Sequence, residues 1–125
     1  MTKNLTHIAL AALLCLASSC EKSEPETYRL AHTCAPAAKV VKTITNAAGF
    51  VSFDTNLQQY KISVHEPGTV DVVDVGILCD SLPPALQTAG TKVLVSGTFK
   101  EYLLGQPGLG GYTNYYLEIE SIRLQ

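Results

Sequence analysis

The stretch Tyr60-Lys61-Ile62-Ser63-Val64-His65, followed by the turn Glu66-Pro67-Gly68 and the run Val70 to Leu78, decides the fold class of this chain. Tyr60, Ile62 and Val64 alternate with Lys61, Ser63 and His65, the period of a strand with one buried face and one wet face. The next run repeats the alternation, with Val73, Val75 and Ile77 sharing a face opposite Asp74 and Gly76. Two such runs joined by a short Pro-Gly turn are consecutive antiparallel strands.

Working outward, the pattern persists. Upstream, a strand is expected from Lys39 to Thr45, a break at Asn46 to Gly49 and a continuation from Phe50 to Phe53, with Gly49 allowing a long strand to bend. Downstream, Asp80 or Ser81 caps a short helical turn through Pro83, Pro84, Ala85 and Leu86, which Gly90 ends. Lys92 to Lys100 then places Val93, Val95 and Phe99 inward around Gly97, and Tyr115 to Leu124 supplies the last strand. The fold class is therefore mainly β, with one short helix between the third and fourth strands. This order resembles the OB-fold, a five-stranded Greek-key barrel, with Gly90 to Gly97 similar to the entry into its fourth strand. A small open sandwich is the alternative arrangement.

The amino-terminal residues MTKNLTHIALAALLCLASSC carry a different message. Lys3 precedes an apolar run from Ile8 to Ala17, and small residues lead to Cys20, the layout of an export signal. As a helix the run spans about 15 Å, half of a bilayer's hydrocarbon core. Leu16-Ala17-Ser18-Ser19-Cys20 resembles the lipobox of bacterial lipoproteins, in which the cysteine is acylated and becomes the mature terminus. Ala17 stands where that family usually has leucine, and Ala17-Ser18-Ser19 also fits an ordinary signal peptidase. The resemblance implies a signal peptide over residues 1–19, lipid on Cys20, a charged tether to residue 36 and a domain over residues 37–125. Glu21 to Glu26 has no apolar period and reads as the solvated part of that tether. It is similar to the acidic export signals of surface lipoproteins of the Bacteroidota. The implied address is the cell envelope, anchored by lipid to the outer membrane on either its periplasmic or its outer side.

Cysteine usage agrees with that layout. Cys15 falls in the leader, and if Cys20 carries lipid, Cys34 and Cys79 form an even pair in a compartment where disulfides persist. A bridge between them closes a loop worth up to about 4 kcal/mol in the chain-entropy picture. Two separate buried thiols are the other reading.

Composition narrows the function. The chain is 46% hydrophobic and 16% charged with a formal net charge of −2, so there is no basic surplus to neutralise a phosphate backbone, and nucleic acid is not an expected partner. Beyond the leader the histidines are His32 and His65, which share no metal-ligand spacing. Asp71 and Asp74 face opposite sides of a strand, and Glu118 and Glu120 read as solvated strand residues. Neither a catalytic constellation, a metal site nor a cofactor is expected. Gly105-Gln106-Pro107-Gly108-Leu109-Gly110-Gly111 precedes a strand and has no lysine, unlike a phosphate-binding loop. OB-folds bind ligands with this loop and with the face of the second and third strands. The candidate contact residues are accordingly Lys61, His65, Leu109, Tyr112 and Tyr115. The expectation is a non-enzymatic, membrane-anchored binding module for a protein, peptide or glycan of the envelope. A structural accessory subunit of an envelope complex is the alternative.

Overall fold

A computed structural model describes residues 23–30, 33–34, 36–102 and 110–125. Six strands run in the order β1 (Tyr28–Arg29), β2 (Val40–Asp54), β3 (Gln59–His65), β4 (Val73–Leu78), β5 (Lys92–Glu101) and β6 (Tyr112–Leu124). The sheet order is β1-β6-β4-β3-β2-β5, and β5 also pairs with β6, so β2 to β6 close on themselves. All neighbours are antiparallel except β4 and β6. The molecule is a closed five-stranded mixed barrel with the OB-like connectivity expected from the sequence. Among the described residues, no helix is long and apolar enough to cross a membrane.

The interior is mainly aliphatic, with Phe99 the one fully buried aromatic ring among the described residues. Val51, Ile62, Val93, Val95, Phe99 and Leu117 are fully buried there. Leu82 and Leu86 close the end reached by the crossover between β4 and β5. That crossover contains only a 3-10 turn over Pro84–Leu86, with the Leu86 N–H donating to the Pro83 carbonyl at 2.9 Å. Pro84 holds the preceding Pro83 in extended backbone at ψ 139°, and Gln87 leaves the helical region at ψ 58°, so the expected helix is a single plug-like turn with no side-chain cap.

The long first barrel strand does not break between Asn46 and Gly49. It continues through a bulge, with register shifts before Lys42 and between Ile44 and Ala47. Asn46 sits at φ 45°, and its N–H donates to Ser96 Oγ at 2.9 Å. The extra residues turn β2 from β5 onto β3, the strand-bending role of a bulge. A second irregularity separates Ser96 from Gly97 opposite β6, where a Cβ on Gly97 would lie 2.2 Å from the Glu118 carbonyl oxygen. Only glycine admits so close a backbone approach.

Cys34 and Cys79 are joined by a disulfide, with Cα atoms 5.0 Å apart. Tyr28 and Arg29, inside the stretch read as tether, pair with Ile122 and Ser121, and Tyr28 and Leu30 pack against the core. The ordered barrel thus reaches back to Tyr28, and the disulfide fastens the segment that follows to the end of β4.

Candidate functional site

The registers determine which side chains share a surface. Ser63 pairs with Val75 and Val75 with Asn114; His65 pairs with Val73 and Val73 with Tyr112; Lys61 pairs with Ile77 and Ile77 with Tyr116. These three rows lie on the outside of the barrel, because Ile62 and Val64, the alternate positions of β3, fill the core. Phe50 and Ser52 of β2 extend the rows beside Ser63 and Lys61. The result is a face with a floor of Ser63, Val73, Val75 and Ile77, all buried, and a rim of Phe50, His65, Tyr112, Tyr116 and Lys61.

This corrects the reading of β4. Its valines face outward, whereas Asp74 and Gly76 face the interior, opposite Val64 and Ile62. Gly76 is small for a reason: a Cβ there would lie 2.6 Å from Leu117 Cδ2, so the Leu117 side chain fills the place. Asp74, whose side chain is 5% exposed, forms an ion pair with Lys42 at the other end of the barrel. The Lys42 ammonium also lies 5.8 Å from the Phe99 ring centroid and 5.9 Å from that of Tyr115. Desolvation pulls the Lys42 pKa down, but hydrogen bonding and attraction to Asp74 outweigh it and leave the ammonium more basic than usual. The carboxylate that looked wet in the sequence is therefore a buried anchor.

The sequence-derived contact residues divide accordingly. His65 and Tyr112 flank Val73 in one outer row, and Tyr112 is 51% exposed. Lys61 lies on the same face, two rows away, tied to Asp54 at 2.8 Å. That lysine, with the Leu57 and Asn56 N–H groups, holds the Asp54 carboxyl below the usual carboxylate range against the opposing effect of burial. Tyr115 is elsewhere: it points inward, its ring 5.4 Å from that of Phe99, and packs on the core. Leu109 and Cys20 lie outside the described residues.

Sequence reasoning missed Phe50, and it grouped Tyr116 with the tyrosines at the end of the loop rather than with the strand face. Phe50 and Tyr116 come from strands far apart in the chain, and only the register places them beside β3 and β4. Phe50 lies 6.3 Å from the His65 ring, and Tyr116 meets Tyr102 edge-on at 4.8 Å. Beside Tyr116, Lys100 and Glu118 form a largely buried ion pair of 2.6 Å. The face thus combines a small apolar floor with an aromatic and imidazole rim and two lysine–carboxylate pairs at its edge. Among the described residues, no group of three or more His, Cys, Asp or Glu side chains is placed to hold a metal ion. Compared with protein-family models and with curated proteins, the chain matches none.

Proposed function

We propose that this chain is a lipid-anchored, non-enzymatic binding module of the bacterial envelope, recognising a protein, peptide or glycan through the outer face of β3 and β4. The observation that carries the reading is the row His65–Val73–Tyr112 beside Phe50: exposed aromatic and imidazole groups around a buried floor of valines and Ser63. Such a floor gives shape, and amphipathic rings give contact area at low cost in side-chain freedom. The anchor rests on the leader and Cys20, the address on the same residues, and the expectation of no nucleic-acid partner on the acidic net charge.

The test has two arms. Metabolic labelling with a radioactive fatty acid is expected to mark the wild-type protein and not Cys20→Ser; equal labelling, or none in either, removes the anchor. A photo-cross-linking residue at position 112, compared with one at the exposed position 41 on another strand, is expected to capture one discrete envelope component. His65→Ala with Phe50→Ala should abolish that capture while leaving the circular-dichroism spectrum unchanged. Capture that survives those changes removes the outer face from the reading and favours a structural subunit docked elsewhere.

A further inference from the structure

The barrel end plugged by Leu82 and Leu86 holds a cavity of about 330 Å³ that the outer face does not share. It lies between the turn after β2, the rim of the barrel and the segment following the disulfide. Phe53 and Tyr60 form its aromatic wall, with rings meeting edge-on at 4.9 Å and 66°. Phe53 is 42% exposed although its register position continues the core face of β2, so its ring is presented at the mouth instead of being consumed by packing. The polar lining is supplied by Gln58, Gln59, Gln87 and Ser81, together with Asp80. Among the described residues no lysine, arginine or histidine lines it.

The lining is held in place before any ligand arrives. Tyr60 Oη donates to the Gln87 carbonyl at 3.1 Å, and Gln87 Nε2 donates to the Leu82 carbonyl at 2.7 Å. Gln58 Nε2 donates to the Thr55 carbonyl at 2.6 Å. The Asp54 carboxylate accepts the Asn56 and Leu57 N–H groups at 2.9 and 3.0 Å, fixing the turn that carries Gln58. Cys79, in the wall itself, is pinned by the disulfide. With their amide nitrogens anchored on the main chain, Gln58 and Gln87 offer side-chain carbonyl oxygens as acceptors.

We propose that this cavity binds a neutral sugar. A pyranose ring has one apolar face of C–H groups and a girdle of hydroxyls that donate and accept. The aromatic wall suits the first, and carboxamides and a serine suit the second. An anionic ligand would find no counter-charge among the described lining residues. A purely apolar one would strip the water from three carboxamides without replacing it. The volume is at the small end of ligand sites, about 300 to 1,000 Å³, in keeping with one or two sugar rings. The site is separate from the outer face, so the two readings fail independently.

The experiment is a titration of the full chain, disulfide intact, with the methyl glycosides of glucose, galactose, mannose, N-acetylglucosamine and fucose, followed by the side-chain amide signals of Gln58, Gln59 and Gln87 in nitrogen-15 correlation spectra. At least one glycoside is expected to shift those signals saturably and to leave the Asn114 amide on the outer face unmoved. Phe53→Ala should weaken that binding about tenfold, the scale on which an aromatic anchor is felt, while Phe53→Tyr retains it and both variants keep wild-type thermal unfolding within a few degrees. Glucose 6-phosphate should bind more weakly than the glucoside. Silence from all five glycosides, binding indifferent to Phe53→Ala, or a phosphate ester that binds as well as the neutral sugar would each overturn the proposal.

Discussion

Two lysine–carboxylate pairs made from the same residue types, Lys42 with Asp74 and Lys61 with Asp54, sit on opposite sides of the barrel wall. Asp74 is inside, its side chain 5% exposed, while its lysine, 34% exposed, reaches in from the barrel mouth over two aromatic rings. Asp54 and Lys61 are on the outer rim, 18% and 22% exposed, and the carboxylate is also held by its own turn. The two differ less in attraction than in what remains when one partner is removed. A lone charge inside the barrel has no water to return to, whereas one on the rim is re-solvated at little cost.

The largest effect is expected where the buried pair is broken on one side. Lys42→Met strands the Asp74 carboxylate and should lower unfolding free energy by about 3 to 5 kcal/mol in denaturant titrations. Lys42→Met combined with Asp74→Leu, which removes both charges, should recover most of that loss. If the double variant is as unstable as the single one, packing rather than charge is what Lys42 supplies. Next in size, Cys34→Ser with Cys79→Ser opens a loop of sequence separation 45 and should cost up to about 4 kcal/mol. The same measurement on the reduced wild type should agree with it. Gly76→Ala drives a methyl into Leu117, and a loss of about 1 to 3 kcal/mol is expected from overpacking.

The rim pair gives the smallest change. Asp54→Ala should cost about 1 kcal/mol, mostly through the turn it caps. The two pairs also respond to opposite ends of the pH scale. Asp54 has a folded-state pKa below its unfolded one, so its contribution is present above the unfolded value and is lost as pH falls through the folded one. Wild type and Asp54→Asn should therefore converge in stability below about pH 4. Lys42 has a raised pKa, so its contribution holds below the unfolded value and disappears as pH climbs through the folded one. The gap between wild type and Lys42→Met should close only above about pH 10.5.

Strands and their order were legible because alternation in β3 and β5 survives into burial: Ile62, Val64, Val93, Val95 and Phe99 all fill the interior. The facing of β4 was not legible. Val73, Val75 and Ile77 form a more apolar set than Asp74, Gly76 and Leu78, so hydropathy selects the wrong side. The strand is buried on both faces, and only its pairing with Ile62 and Val64 decides the matter. For the same reason Asp74 looked solvated and Tyr115 looked available. Lys61 and His65 were legible as one outer strand face and Tyr112 as the far end of a loop, but Tyr112, Phe50 and Tyr116 join that face through a bulge and a parallel pairing that no local pattern encodes. The cavity at the barrel end was invisible in sequence, since three separated segments build it.

The disulfide also has a mechanical consequence. A chain pulled from its amino-terminal end takes load first at Tyr28–Arg29, a two-residue strand that unzips with little resistance. Force then meets the covalent link and passes through Cys34 directly to Cys79 at the end of β4, bypassing the chain in between. That segment includes all of β2, β3 and β4, so the three strands are excluded from stretching while the link is intact. Pulled from that end, the domain should lengthen in one short step and then stiffen.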